Sequence, residues 1–439
     1  MNLIFMMSTL NKHKTVGTLL DCGGKRSATP LSAALRTPKA LSPLRSASAV
    51  QKAASLLAAF AVIGATTVVV AQDTFVIPPR GIETPGATPP IKINIAGFSG
   101  EVNTVLNFDL HVMGFTNVPA DQAQFLITGT SSPNVKGLAT DAINKQVRIN
   151  KSYSGGSLRK QAHAFADDVA LSLSGSPGIA QTRIALKADT GRTSEIYIAD
   201  FDGHNAQAAT KDGSIVAAPS WVPGKLALCY TSYRLGNPDI FHHDLASGAR
   251  MPIARYSGLN TSPAVSPDGS RVAMIISKGG SPDVWVANID GTGLKQLTKT
   301  KEDESSPCWS PDGQWICYAS RQGGVRGLFK VPASGGAAQR ITTRGVSSPS
   351  EPDWSPDGKW IVFTAQMGGF EICVVPATGG EVTVLVSGED PSWAPNSRQV
   401  IFARRSGGSR RLSLLDVPTK QVKDAARISG SNSQPSWAR

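Results

Sequence analysis

One short phrase recurs through the second half of the chain and limits what it can fold into. Its copies begin at Pro219, Pro263, Pro307, Pro352, Pro391 and Pro435, at spacings of 44, 44, 45, 39 and 44 residues. The fullest copies read Pro-x-Trp-Ser-Pro-Asp-Gly, as at Pro307–Gly313 and Pro352–Gly358. Ser-Pro-Asp-Gly encodes a type I turn: proline fixes φ at the second position, aspartate suits the third, and glycine closes it. A short apolar strand follows each turn, such as Arg271–Ser277 or Lys359–Ala365. A Gly/Ser-rich hairpin, a second alternating strand and a short third strand come next. With the Pro-x-Trp segment as the fourth, each period supplies four antiparallel strands, which is one propeller blade.

Counting sets the number of blades. Post-turn strands number six if Arg183–Lys187 is included, and Pro-x-Trp strands also number six, the last at Pro435–Trp437. The last strand should therefore complete the blade begun near residue 179, which removes the open edges of the ring. The expectation is a six-bladed, WD40-like β-propeller over residues 179–439. Five of the eight tryptophans (Trp221, Trp309, Trp354, Trp393, Trp437) share one slot of the repeat. A side chain that recurs in every blade reads as packing between blades.

Residues 91–176 read as a small α/β domain. Ile91–Ile95 alternates as a strand, Thr104–Met113 reads as a helix, and Phe125–Gly129 as a further strand. Gly137–Ile143 and Gln146–Tyr153 form a hairpin about Asn144-Lys145. Leu158–Leu173 is amphipathic, with Leu158, Ala162, Phe165, Ala166, Val169 and Leu173 on one face. The stretch before it, residues 72–90, is rich in Pro, Gly and Thr and reads as an extended arm.

The formal net charge of +12 first points to nucleic acid. Its distribution removes that reading. Residues 1–71 hold eight Lys or Arg and one acid, leaving 36 bases and 31 acids in the other 368 residues. Ala53–Ala71 is a run of 19 uncharged residues after Lys52, with Val69 and Ala71 placed for cleavage before Gln72. Residues 1–71 thus have the layout of a secretory signal with a long basic n-region. The run is also long enough to span a bilayer, so an uncleaved anchor is the competing reading. Four cysteines (Cys229, Cys308, Cys317, Cys373) follow it in apolar strands and read as small buried side chains. Cys308 and Cys317 sit where a hairpin disulfide is geometrically open to them.

No catalytic residue, cofactor site or metal site is expected. The chain lacks G-x-S-x-G, H-E-x-x-H, a P-loop and an EF-hand loop. His242 and His243 are neighbours on a strand and face opposite sides. Asp200–Asn205 reads as a hairpin turn rather than an acidic metal loop.

The join between the two parts carries a resemblance. Leu158–Val169 (LRKQAHAFADDV) running into Gly178–Ala185 (GIAQTRIA), and Glu195–Asn205 (EIYIADFDGHN), are similar to passages of the TolB family of the Tol–Pal envelope system. The resemblance implies a non-enzymatic periplasmic adaptor, peripheral to the outer membrane, that supports membrane integrity and constriction at division. It implies that the propeller binds a Pal-like lipoprotein, and that the N-terminal arm can bind the C-terminal domain of TolA. It places the lipoprotein at the channel mouth, near loops entering each Pro-x-Trp strand: Asn260, Thr261, Ser305, Ser306, Ser350, Glu351, Glu389 and Asp390. The proline-rich arm does not clearly match the family's TolA-binding segment, and the small domain's hairpin is shorter than usual. Two other classes stay open: a propeller that binds another envelope protein or a glycan, and a non-catalytic relative of propeller peptidases.

Overall fold

Each proline–tryptophan phrase becomes the innermost strand of a blade. A computed structural model describes residues 84–439. The expected export signal and the arm as far as residue 83 lie outside the described residues. Blade 1 joins Ser431–Trp437 to Arg183–Asp189, Ser194–Asp200 and Gln207–Ala208. The innermost strands of blades 2 to 6 are Val216–Trp221, Asn260–Val265, Glu304–Trp309, Ser350–Trp354 and Glu389–Trp393. Each begins a four-stranded antiparallel sheet. The ring therefore closes as the count required, with Trp437 paired opposite Ile184.

The turns after these strands work as their sequence dictates. Gly269, Gly313 and Gly358 return N–H bonds to the carbonyls of Ser266, Ser310 and Ser355 at 2.8–2.9 Å. Their φ values of 67–77° need glycine. Each turn serine also donates to the turn aspartate and accepts from the backbone N–H that opens the next strand, at 2.9 Å for Arg271, Trp315 and Trp360. The serine in the phrase thus locks the turn to its strand.

The N-terminal part is a sheet with two helices: β1 Ile91–Ala96, α1 Gly100–Val112, β2 Phe115–Asn117, β3 Phe125–Thr130, β4 Lys136–Asp141, β5 Val147–Ser152 and α2 Leu158–Ser174. Sheet order is β2-β1-β3-β4-β5, parallel at β1 and antiparallel beyond β3. Helix α1 starts four residues before the expected Thr104, and β2 was not anticipated. Helix α2 is capped by the Ser157 side chain, which accepts from Lys160 N at 3.3 Å, and stops at Gly175 with φ 73°.

One core spans this part and the propeller. Ile93, Leu106 and Phe165 belong to the same buried cluster as Ile184, Phe201, Leu414 and Trp437. Polar ties border it: Asn396 donates to Pro177 O at 2.8 Å, and Gln421 donates to Phe115 O at 3.1 Å. Asn396 lies in a turn that follows an innermost strand, so the α/β part caps the turn face of the ring. The end of the arm follows the same side, with Gly86 N donating to Val417 O at 2.9 Å and Thr88 N to Pro418 O at 3.0 Å.

Candidate functional site

The six innermost strands surround an axial cavity of about 490 Å³. Its wall is made by the repeated phrase. Trp221, Trp309, Trp354, Trp393 and Trp437 are each no more than 7% exposed. Their indoles stitch blade to blade: Trp221 donates to Ser436 O at 3.0 Å, Trp309 to Ala264 O at 2.8 Å and Trp393 to Asp353 O at 3.2 Å. Trp354 instead bonds Gly358 O in its own turn. The tryptophans are inter-blade packing, as their shared slot suggested.

The mouth opposite the turn face has a feature the sequence did not announce. Ala218, Ser262, Ser306, Glu351, Asp390 and Gln434, one per blade, all hold φ between 49° and 56°. Each precedes the proline of its phrase. Left-handed backbone is costly for residues with a Cβ, and a following proline favours extended backbone. Each inner strand bulges here; the register to its neighbour shifts between Thr261 and Ala264 in blade 3, and between Glu389 and Ser392 in blade 6. Part of the ring is tied by side chains. Glu351 Oε2 accepts from Asp390 N at 3.1 Å, Asp390 Oδ2 from Gln434 N at 3.1 Å, and Gln434 Oε1 from Ala218 N at 2.9 Å. Burial, then the charge of Glu351, pushes the Asp390 carboxyl up to about 8.

Of the eight expected rim residues, Ser306, Glu351 and Asp390 line the cavity. Thr261 and Ser350 are partly exposed beside it, with Thr261 Oγ1 3.3 Å from Thr231 Oγ1 and Ser350 Oγ donating to Thr364 O at 3.4 Å. Ser305 accepts from Arg326 at 3.1 Å. Asn260 and Glu389 are corrections to an exposed rim, since both are buried. Asn260 clamps the preceding turn, donating to Tyr256 O at 2.7 Å and to Pro238 O at 3.1 Å. Glu389 is paired with Arg405 and Arg410. Burial would raise its carboxyl, but the two guanidiniums outweigh that and hold it below the usual range.

Three groups escaped the sequence reading. Gln434 completes the ring of left-handed residues. Arg439 reaches across blade 6 to the Asp353 carboxylate and donates to Trp393 O at 3.4 Å. Asp202, in the turn read as plain hairpin, meets helix α2 through Arg159 and His163. His242 and His243 do point apart: His243 is buried against Tyr230, and His242 is half-buried. The four cysteines are buried free thiols, with Cys308 and Cys317 directly opposite across their strands.

A closed six-bladed propeller, capped on one face by an α/β layer and open at a strained polar mouth, defines the class of protein. A family model described as the TolB beta propeller domain matches residues 171–439, and the chain belongs to that family. Curated relatives named Tol-Pal system protein TolB include one from Anaeromyxobacter sp. (strain K), 35% identical over 33% of this chain and 33% of its own length. Another, from Bordetella pertussis, is 31% identical over 50% of this chain and 52% of its own. The chain thus spans about a third to a half of the curated relatives it matches. The crystal structure of TolB from Acinetobacter baumannii aligns with a TM-score of 0.72 at 22% identity, over 81% of this chain and 98% of that one, and shares the fold.

Proposed function

We propose that the chain is a non-enzymatic periplasmic adaptor of a Tol–Pal system, and that the cavity mouth receives a Pal-like lipoprotein. The observation that carries this reading is the repeated left-handed residue. Strain held at one position in every blade, at the open end of a cavity, fits a binding surface better than a stability device. Polar groups of Ser306, Glu351 and Asp390 converge there, and the α/β layer leaves that end free. In this reading the arm before residue 90 engages the C-terminal domain of TolA, and the adaptor supports the outer membrane during constriction.

Titration calorimetry of the full chain against the Pal-like lipoprotein domain of the same organism tests the proposal. Binding is expected, weakened by Glu351→Ala and Ser306→Tyr while Arg411→Gln on an outer strand leaves it unchanged. Absence of binding, or binding indifferent to both mouth variants, rules the reading out.

A further inference from the structure

A second cavity, of about 580 Å³, lies between the central hairpin of blade 4 and the segment leading into blade 5. Four arginines line it, Arg321, Arg326, Arg340 and Arg344, together with Thr343 and Ser348. Their arrangement makes poor sense as a stability device. Arg321 and Arg326 are direct partners across the hairpin, and like charges in that position destabilise a strand pair. Among the described residues, only Arg344 of the four is ion-paired, with Glu381 at 2.6 Å, and both ends of that pair are solvent-exposed. Such a pair contributes little to stability.

Two of the arginines are held by neighbours. Arg326 donates to Ser305 Oγ at 3.1 Å, and the Arg340 guanidinium sits 6.0 Å from the Phe329 ring centre. Burial, opposed by Glu351 and reinforced by Arg321, moves the Arg326 guanidinium below its ordinary value. Positive charge is thus concentrated in a concave site with unused donors.

We propose that this pocket binds a phosphate-bearing ligand, held by two or more of the four guanidiniums. The planar guanidinium fork matches phosphate oxygens bidentately. A phosphate group carries up to two negative charges, which suits several unpaired arginines better than a single carboxylate. A soluble phosphate compound and a lipid headgroup offer the same chemistry. The pocket shares no lining residue with the axial cavity, although Arg326 bonds the rim residue Ser305, and its test uses different probes and variants from that of the lipoprotein reading.

The experiment uses the full chain, with inorganic pyrophosphate and inorganic phosphate as soluble probes. Phosphatidylcholine vesicles with and without phosphatidic acid form the lipid arm. Wild type is expected to bind pyrophosphate or the phosphatidic acid vesicles. Arg321→Gln/Arg340→Gln should weaken that binding by about tenfold or more, as loss of charge-assisted contacts requires. Both side chains are exposed, and the single variant Arg340→Gln gives a milder change that still reports on the pocket. Arg411→Gln should bind as wild type. Pyrophosphate binding alone assigns a soluble ligand and vesicle capture alone a headgroup; either supports the pocket. Failure of all probes, equal loss in Arg411→Gln, or full affinity in the double variant overturns the proposal. So does displacement of pyrophosphate by polyglutamate at matched charge, which would make an acidic peptide the ligand.

Discussion

His163 on α2 and Asp109 on α1 meet with Nδ1 2.7 Å from Oδ2, both side chains buried, beneath the propeller's Asp202. Burial would lower the histidine, but the hydrogen bond and charge of Asp109 outweigh it and raise its pKa. Burial raises Asp109 to about 7, with His163 opposing. Arg159, bonded to Asp202, and Asp167 on α2 complete the charged surroundings. The folded protein therefore binds protons here more tightly than the unfolded chain.

The sign of the pH dependence follows. The histidine's contribution is complete below its unfolded value near 6.5 and is lost as pH rises through the higher folded value. Asp109 slopes the same way, since its folded value near 7 exceeds 3.8. Melting temperature is expected to fall by ~3 °C between about pH 6 and pH 8. His163→Gln should flatten that slope. A profile as steep in the variant as in wild type would remove the pair from the explanation.

Asp390 offers a second pH test at the other end of the molecule. Its carboxyl, raised to about 8, destabilises the fold progressively as pH climbs from 3.8 toward 8. Asp390→Asn keeps an oxygen to accept from Gln434 N and removes the repulsion with Glu351. The variant should melt higher than wild type at about pH 8.5, by a margin that shrinks steadily as pH falls and closes near 3.8. A lower melting temperature at the alkaline end would count against that account.

Trp393 is fully buried and bonded to the neighbouring blade. Trp393→Ala removes both packing and the hydrogen bond, for an expected loss of roughly 3–5 kcal/mol in denaturant titration. Trp309→Phe keeps most of the packing and loses the bond to Ala264 O, so about 1 kcal/mol is expected.

The left-handed ring makes a backbone prediction. Ser306 has φ 50°. Ser306→Gly should leave the melting temperature within about a degree or raise it, whereas Ser306→Val should cost ~1–2 kcal/mol. Equal behaviour of the two would contradict the strain assigned to this position.

Burial, then the neighbouring Cys317, raises the Cys308 thiol above its ordinary value. The folded protein should therefore resist a thiol reagent at Cys229, Cys308, Cys317 and Cys373, and release all four in denaturant. Rapid native labelling of any of them would show that its strand opens.

The blades were legible in the sequence because their signals are local. A serine, proline, aspartate and glycine specify one turn without help from distant residues, and the period repeats it. The Asp109–His163–Asp202–Arg159 cluster was not legible. Its members come from two helices and a propeller turn, share no motif spacing, and meet only when the layers dock. The ring at the mouth was hidden for another reason: a residue before proline reads as extended, and only the bulge forces it into left-handed backbone. Asn260 and Glu389 read as exposed because polar side chains usually are. Their burial depends on partners, the Tyr256 turn and two arginines, that single positions do not reveal.

Ring closure also sets an order of events. Thr182, at the start of blade 1, receives the Trp437 indole across 255 residues of chain. Strand Arg183–Asp189 has its inner edge unpaired until Ser431–Trp437 arrives. Loop closure over such a separation is slow, so the ring commits to its final form late. Until that closure, blades can stand formed with no seal, and the open strand edge is exposed to other chains. The closing strand therefore does two things at once: it completes a blade and it removes the last open strand edge of the ring.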